Sequence, residues 1–254
     1  MSQPIILKTT KELVQWRKSV QNRPVGFVPT MGALHEGHAS LLKKSRAEND
    51  ISVLSIFVNP TQFNQAQDLE KYPRTWTADV SVAQVTGTDI IFSPTFEEIY
   101  PDNYNFSVHE NDFSHLLCGA SRPGHFQGVL TIVLKLFNLV QPTRVYMGEK
   151  DHQQLQLIKK MVDALFLNTE VIGCPTVRNS EGLALSSRNA RLTDEERENS
   201  SLIYKTISTA KTAQDARAAL EKAGFKIDYL VDVENRRYVA AYVGEVRLID
   251  NVQL

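Results

Sequence analysis

Residues 25–42 read VGFVPTMGALHEGHASLL, and the change of character along this stretch decides the fold. Val25-Gly26-Phe27-Val28 is an apolar run that reads as a buried strand and stops at Pro29. A short turn of Met31, Gly32, Ala33 and Leu34 follows. Then come His35, Glu36, Gly37 and His38, and an apolar helical pattern opens at Leu41-Leu42. A strand, a tight turn and a helix mouth make a layout suited to phosphate. The first-turn N–H groups of a helix lack intrahelical partners, and the helix dipole adds partial positive charge at the same spot. On a helical first turn, His35 and His38 present both rings on one face, each able to donate to phosphate oxygens. Gly37 removes a side chain that would block close approach. Taken alone, HEGH also fits two ordinary surface histidines or half of a metal site. The metalloprotease pattern spaces its histidines four apart, however, and no third ligand stands out here. The position after a strand, where open α/β sheets bind ligands, favours the phosphate reading.

Outward from this stretch the chain alternates. Helical patterns at 11–20, 37–49, 75–86, 128–140 and 151–166 interleave with strand-like runs at 24–29, 51–58, 89–92, 144–147 and 170–173. Alternating units of this kind predict a parallel sheet with helices on both faces. The pattern changes near Pro175. Residues 178–192 are polar and loop-like, and Thr193-Asp194-Glu195-Glu196 is a capping box opening helical sequence over 194–223, in two segments. Strand-like pieces around 228–233, 238–243 and 245–249 complete a small α+β domain. The expected domains are 1–175 and 176–254.

The 254 residues are 42% hydrophobic and 22% charged, as in a globular protein, with room for a sizeable core. A net charge of -1 gives no support for a nucleic-acid or membrane-surface binder. No apolar stretch is long enough to span a bilayer. Two cysteines, Cys118 and Cys174, without metal-like spacing, and no export signal predict a cytoplasmic protein with buried thiols.

Further clusters repeat the strand-to-helix theme. Gly148, Glu149, Lys150 and Asp151 follow the strand-like RVYM and precede a helix bearing Gln153 and Gln154, with Asp151 as its expected N-cap. Lys150 would bring an ammonium to the carboxyl edge of the sheet. Leu185, Ser186, Ser187 and Arg188 offer two hydroxyls and a guanidinium suited to a triphosphate. Asn59-Pro60-Thr61-Gln62-Phe63 follows the run ISVLSIFV, and Gln62 carries an amide that both donates and accepts. In Arg122-Pro123-Gly124-His125 the histidine is as consistent with structure as with function.

These clusters in this order resemble the pantoate–β-alanine ligase (pantothenate synthetase) family over nearly the whole chain. The carriers are VPTMGALHEGH (28–38), SIFVNPTQF (55–63), YPRT (72–75), RPGHFQGVLTIVLKLFN (122–138), GEKDHQQL (148–155) and PTVRNSEGLALSSRN (175–189). HEGH alone indicates only the wider HxGH nucleotidyltransferase-like superfamily. The resemblance implies a Rossmann-like ATP domain, a smaller C-terminal lid domain and a homodimer. It implies joining of (R)-pantoate to β-alanine, with ATP converted to AMP and pyrophosphate through a pantoyl adenylate, and with magnesium. By resemblance Met31 to His38, Gly148 to Asp151, Val177 and Leu185 to Arg188 line the ATP site. His38 is the expected proton donor beside His35, and Lys150 and Arg188 offset phosphate charge. Gln62 and Gln154 would hold pantoate, and Gln62 also β-alanine. Ala78-Asp79 stands where the family often has paired acids, which leaves Asp79 as a weak magnesium candidate. Leu185 and Met147 are apolar replacements at adenine-facing positions, and the segment between Asp232 and Tyr238 is short for the family. Two other readings stay open: adenylyl transfer to another acid or nucleotide, and a non-catalytic nucleotide-binding regulator.

Overall fold

The apolar run at 25–28 becomes the middle of a sheet because its neighbours in sequence supply strands and helices of matching length. The computed structural model describes residues 3–254. In chain order these form β1 (Ile5–Leu7), α1 (Thr10–Ser19), β2 (Val25–Thr30), α2 (Glu36–Glu48), β3 (Ile51–Ile56), α3 (Ala66–Glu70), α4 (Trp76–Val85), β4 (Ile90–Phe92), α5 (Phe96–Ile99), α6 (Cys118–Ser121), α7 (His125–Val140), β5 (Arg144–Gly148), α8 (His152–Ala164) and β6 (Glu170–Cys174). Then come α9 (Asp194–Thr209), α10 (Ala213–Lys222), β7 (Lys226–Val233), β8 (Arg236–Val243) and β9 (Val246–Gln253).

The first six strands make one parallel sheet in the order β1-β4-β3-β2-β5-β6. The order reverses beside β2, so the crevice outside the carboxyl ends of β2 and β5 is the topological switch point. Alternation along β2 builds both faces. Val28 packs with Leu54, Ile91, Leu41 and Leu42 of α2 and Ala83 of α4, whereas Phe27 meets Phe137 of α7 edge-on at 6.5 Å. At Gly26 a Cβ would collide with Ser45 Oγ and lie 2.5 Å from Asn49 Nδ2, so glycine lets α2 settle on the strand.

Three differences from the sequence reading have physical causes. β2 continues through Pro29 to Thr30. The missing N–H of Pro29 lies on the β5 side, where pairing ends at Phe27, so no ladder bond is lost. β1 was not expected. Three residues carry no period, and their pairing with Ile90–Phe92 is entirely long-range. Helix α7 starts at His125 because Gly124, at φ 80°, turns the chain into it.

The chain divides into two compact units. One comprises the chain to Gly148 together with Gln153–Cys174; the other comprises Glu149–His152 and Pro175–Leu254. The second has its own core of Ile203 and Ile207 from α9, Ala216 and Leu220 from α10, and Leu230, Val239, Ala241, Val246 and Leu248 from an antiparallel sheet ordered β7-β8-β9. The expected capping box opens α9: Glu196 N–H donates to Thr193 Oγ1 (3.2 Å) and Thr193 N–H to Glu196 Oε2 (2.9 Å). β7 and β8 are joined by Glu234 and Asn235 alone. Arg237, 1% exposed, binds both Asp232 oxygens (2.7 and 2.9 Å) and donates to the carbonyls of Ile207 and Ala210 at the end of α9. Among the described residues no helix is long and apolar enough to cross a membrane.

Candidate active site

The turn after β2 is held by side chains that accept its backbone N–H groups. Thr30 Oγ1 donates to Ser55 O (2.7 Å) and accepts from Gly32 N (3.1 Å). Gly32 and Ala33 both adopt left-handed backbone, at φ 79° and 52°. Asp79, 2% exposed in the first turn of α4, stabilises that turn. Its Oδ2 accepts from Ala33 N (3.1 Å), and its Oδ1 from Leu34 N (2.8 Å) and Thr75 Oγ1 (3.0 Å).

His35 is the N-cap of α2, with extended backbone, and not a residue of its first turn. Its Nδ1 accepts from Gly37 N (3.1 Å), and His38 Nδ1 accepts from His35 N (3.3 Å). This is a capping box built from two imidazoles, whose ring centroids lie 4.1 Å apart. A backbone N–H on Nδ1 demands an unprotonated Nδ1, so each neutral ring carries its proton on Nε2 and donates from there. The space left by Gly37 has a specific occupant: a Cβ would lie 2.8 Å from His35 Cε1. Glycine here admits the His35 ring, and not a ligand as its place in the sequence suggests.

Gln62 ends a 3-10 turn, Pro60–Gln62, directly after β3. Its Oε1 accepts from Asn59 Nδ2 (3.2 Å), and its Nε2 lies 3.1 Å from Met31 Sδ, which ties it to the first turn. Asn59 also donates to Gly128 O (3.2 Å) and accepts from Tyr100 OH (3.0 Å). Burial pushes the Tyr100 phenol up to about 12, which keeps it protonated as that donor. His125 Nδ1 reaches Gln62 O at 2.8 Å, and Arg122 donates to the same carbonyl at 3.3 Å. At Gly128 a Cβ would lie 2.5 Å from Thr61 O and 2.7 Å from Gln62 N. His125, which the sequence left open, therefore clamps the Gln62 turn. Gln154 is half-buried near the start of α8, and its neighbour Gln153 is buried, holding Cys118 N and the carbonyls of Phe113 and Leu116.

Within the second unit, Glu149–Asp151 form a 3-10 turn that runs straight into α8. Asp151 lies inside that turn, so helical backbone continues through the position expected to be the N-cap, and its carboxylate pairs with Lys150 Nζ (3.6 Å). Lys150 keeps only 17% of its side chain exposed. Leu185 N donates to Val177 O (2.9 Å), joining two of the predicted positions. Ser186 caps the 3-10 turn Ser187–Arg191 by accepting from Arg188 N (3.2 Å). The loop as a whole is less open than its polar sequence implies, since Leu183, Ala184 and Leu192 are buried.

Magnesium is implied by the family resemblance. Among the described residues no group of three or more His, Cys, Asp or Glu could hold a metal ion, and both oxygens of Asp79 are already engaged by the turn at Ala33 and Leu34. The residues present do not fit a magnesium site built from three or more protein ligands, and the Asp79 carboxylate serves to hold the turn at Ala33 and Leu34.

A doubly wound parallel sheet with a paired-imidazole helix mouth at its switch point places the chain among the Rossmann-like α/β proteins. More narrowly, it belongs to the pantoate–β-alanine ligase family, whose model matches residues 5–253, and it is an enzyme of the ligase class. The pantothenate synthetase of Bdellovibrio bacteriovorus is 56% identical over 249 residues, covering 98% of this chain and 99% of that one. The pantothenate synthetase of Coxiella burnetii is 46% identical over 96% of each chain. The pantoate–β-alanine ligase of Francisella tularensis, solved in complex with β-γ ATP and β-alanine, superposes with a TM-score of 0.94 at 42% identity, covering 98% of this chain and 97% of that one. The pantothenate synthetase of Thermus thermophilus gives a TM-score of 0.91 at 40% identity, with 98% and 99% covered.

Proposed function

We propose that this ligase activates (R)-pantoate with ATP, releases pyrophosphate and passes the resulting pantoyl adenylate to β-alanine, with AMP as the second product. The observation that carries the reading is the imidazole pair at the mouth of α2, in which both Nδ1 atoms accept backbone N–H, so that each neutral ring has its proton on Nε2 to offer a ligand. A carboxylate is a poor acylating agent, so it first attacks the α-phosphorus. Its oxygen forms the new P–O bond as the bond to the leaving pyrophosphate breaks. Negative charge grows on phosphate oxygens, and donors already aligned answer it without reorganising. His38 and His35 supply these donors, and Lys150 and Arg188 offset charge. Met31 to Leu34, Glu36, Gly37, Gly148, Glu149, Asp151, Val177, Leu185, Ser186 and Ser187 complete the ATP contacts. Gln62 and Gln154 hold pantoate, and Gln62 meets β-alanine, whose amine attacks the adenylate carbonyl and expels AMP. The ligand of the Francisella relative supports ATP and β-alanine as substrates. A cytoplasmic homodimer is part of the same reading, and sedimentation velocity tests the dimer.

Pyrophosphate release from ATP and (R)-pantoate, with and without β-alanine, tests the chemistry. A stoichiometric burst that becomes steady turnover on adding β-alanine is expected. ATP binding without release would leave adenylyl transfer to another acid, or a regulator, as the reading. Gln62→Ala should abolish turnover with pantoate, and intact turnover would remove the pantoate assignment.

A further inference from the structure

Asp250 and Asn251 are adjacent on β9, only 6% and 5% exposed, and the chemistry above uses neither. The Asp250 carboxylate grips Arg178 with two bonds, 2.6 Å from NH1 and 2.8 Å from NH2. Arg178 also donates to Gly182 O (3.1 Å) and stacks on the Tyr204 ring at 3.6 Å, closing the base of the loop that leads to Ser186 and Arg188. Asn251 Nδ2 donates to two carbonyls, Glu149 O (2.9 Å) and Lys150 O (3.0 Å). Its Oδ1 accepts from Arg236 (2.5 Å), which sets the amide orientation, and its own N–H donates to Asp250 Oδ1 (2.8 Å). Burying a carboxylate and an amide is costly where apolar side chains could fill a strand. Apart from Arg236 on the neighbouring strand, their side-chain partners lie in two segments remote in sequence, and both segments carry proposed ATP ligands.

We propose that Asp250–Asn251 is a positioning pair that sets the backbone of Lys150 and the loop bearing Ser186–Arg188 in one frame for a nucleoside triphosphate. Only the ATP-binding arm of the test rests on the proposed function; the exchange arm does not. Asn251→Asp keeps the shape and the bond to Arg236, but turns a double donor into an acceptor facing two carbonyls. The expected result is ATP binding weaker by about 10-fold, equivalent to loss of one well-placed hydrogen bond to a charged or carbonyl group. The KM for ATP should rise rather than kcat alone falling, because a loss of folded enzyme lowers kcat at constant KM. Amide hydrogen exchange at 149–154 should quicken while β7 and β8 stay as protected as in the parent. Gln253→Ala, which removes the other side-chain partner of Arg236, should change none of these. Should Asn251→Asp fail to fold, Asn251→Ala removes the donor without adding charge and carries the same comparison. ATP affinity within about twofold of the parent, with exchange at 149–154 unchanged, overturns the proposal. A parent protein that binds no ATP overturns the functional reading instead, and the exchange arm still decides whether the pair positions the turn.

Discussion

At the scale of single residues, the role proposed for the histidine pair rests on its tautomers. Because both Nδ1 atoms accept backbone N–H, each ring is a fixed Nε2–H donor. His38→Ala should lower single-turnover pyrophosphate release by about two to three orders of magnitude, the usual effect of one transition-state donor. ATP binding measured by calorimetry should change far less. Asp79→Asn replaces one acceptor by an amide facing the N–H of Ala33 or Leu34. It should destabilise the protein by about 1–3 kcal/mol in denaturant titrations, as expected for an unsatisfied buried group. The magnesium concentration at half-maximal rate should stay unchanged, and a shift in that concentration would restore Asp79 as a metal ligand.

At the scale of elements, α7 and the Gln62 turn form one packed piece. Gly128→Ala would drive a methyl group into Thr61 O, and overpacking of this kind costs about 1–3 kcal/mol. Because Gln62 moves with the turn, the KM for pantoate should rise more than that for ATP in steady-state assays. In the second unit, Arg237 ties β8 to the end of α9. Its loss leaves two carbonyls at the end of α9 without donors and Asp232, itself exposed, without its guanidinium, so Arg237→Ala should cost about 1–3 kcal/mol in thermal unfolding. The Arg237 guanidinium holds the Asp232 carboxyl below its ordinary 3.8. A lowered folded-state value means that the stabilisation is complete above about pH 4 and is lost as pH falls through the lowered value. Asp232→Asn should flatten that acid limb of the stability profile.

At the scale of the whole molecule, the chain leaves the first unit at Gly148, returns at Gln153 and leaves again after Cys174. The residue pattern marks a single boundary at 175, where its change is plain, whereas the excursion at 149–152 has no compositional mark. A ligand bound by the native protein alone raises its stability by mass action. ATP at about 100 times its dissociation constant should therefore add about 2.7 kcal/mol to unfolding. His38→Ala should keep nearly all of that gain if the residue acts in the transition state, and calorimetric scans with and without ATP compare the two.

The amino-acid sequence by itself determined the alternating strands and helices, the capping box at Thr193, the helix mouth at His35–His38 and the polar clusters that follow each strand. Those features are local: hydrophobic period, turn chemistry and residue type act over a few positions. Tertiary structure alone decided that Ile5–Leu7 joins the sheet, that Gly37 makes room for His35, that Asp79 holds the turn at Ala33, and that Asp250 and Asn251 reach Arg178 and Lys150. Each of these depends on which groups folding brings within hydrogen-bond or van der Waals reach. Asp250 and Arg178 are 72 residues apart and Asn251 and Lys150 are 101 apart, distances at which no periodicity carries information.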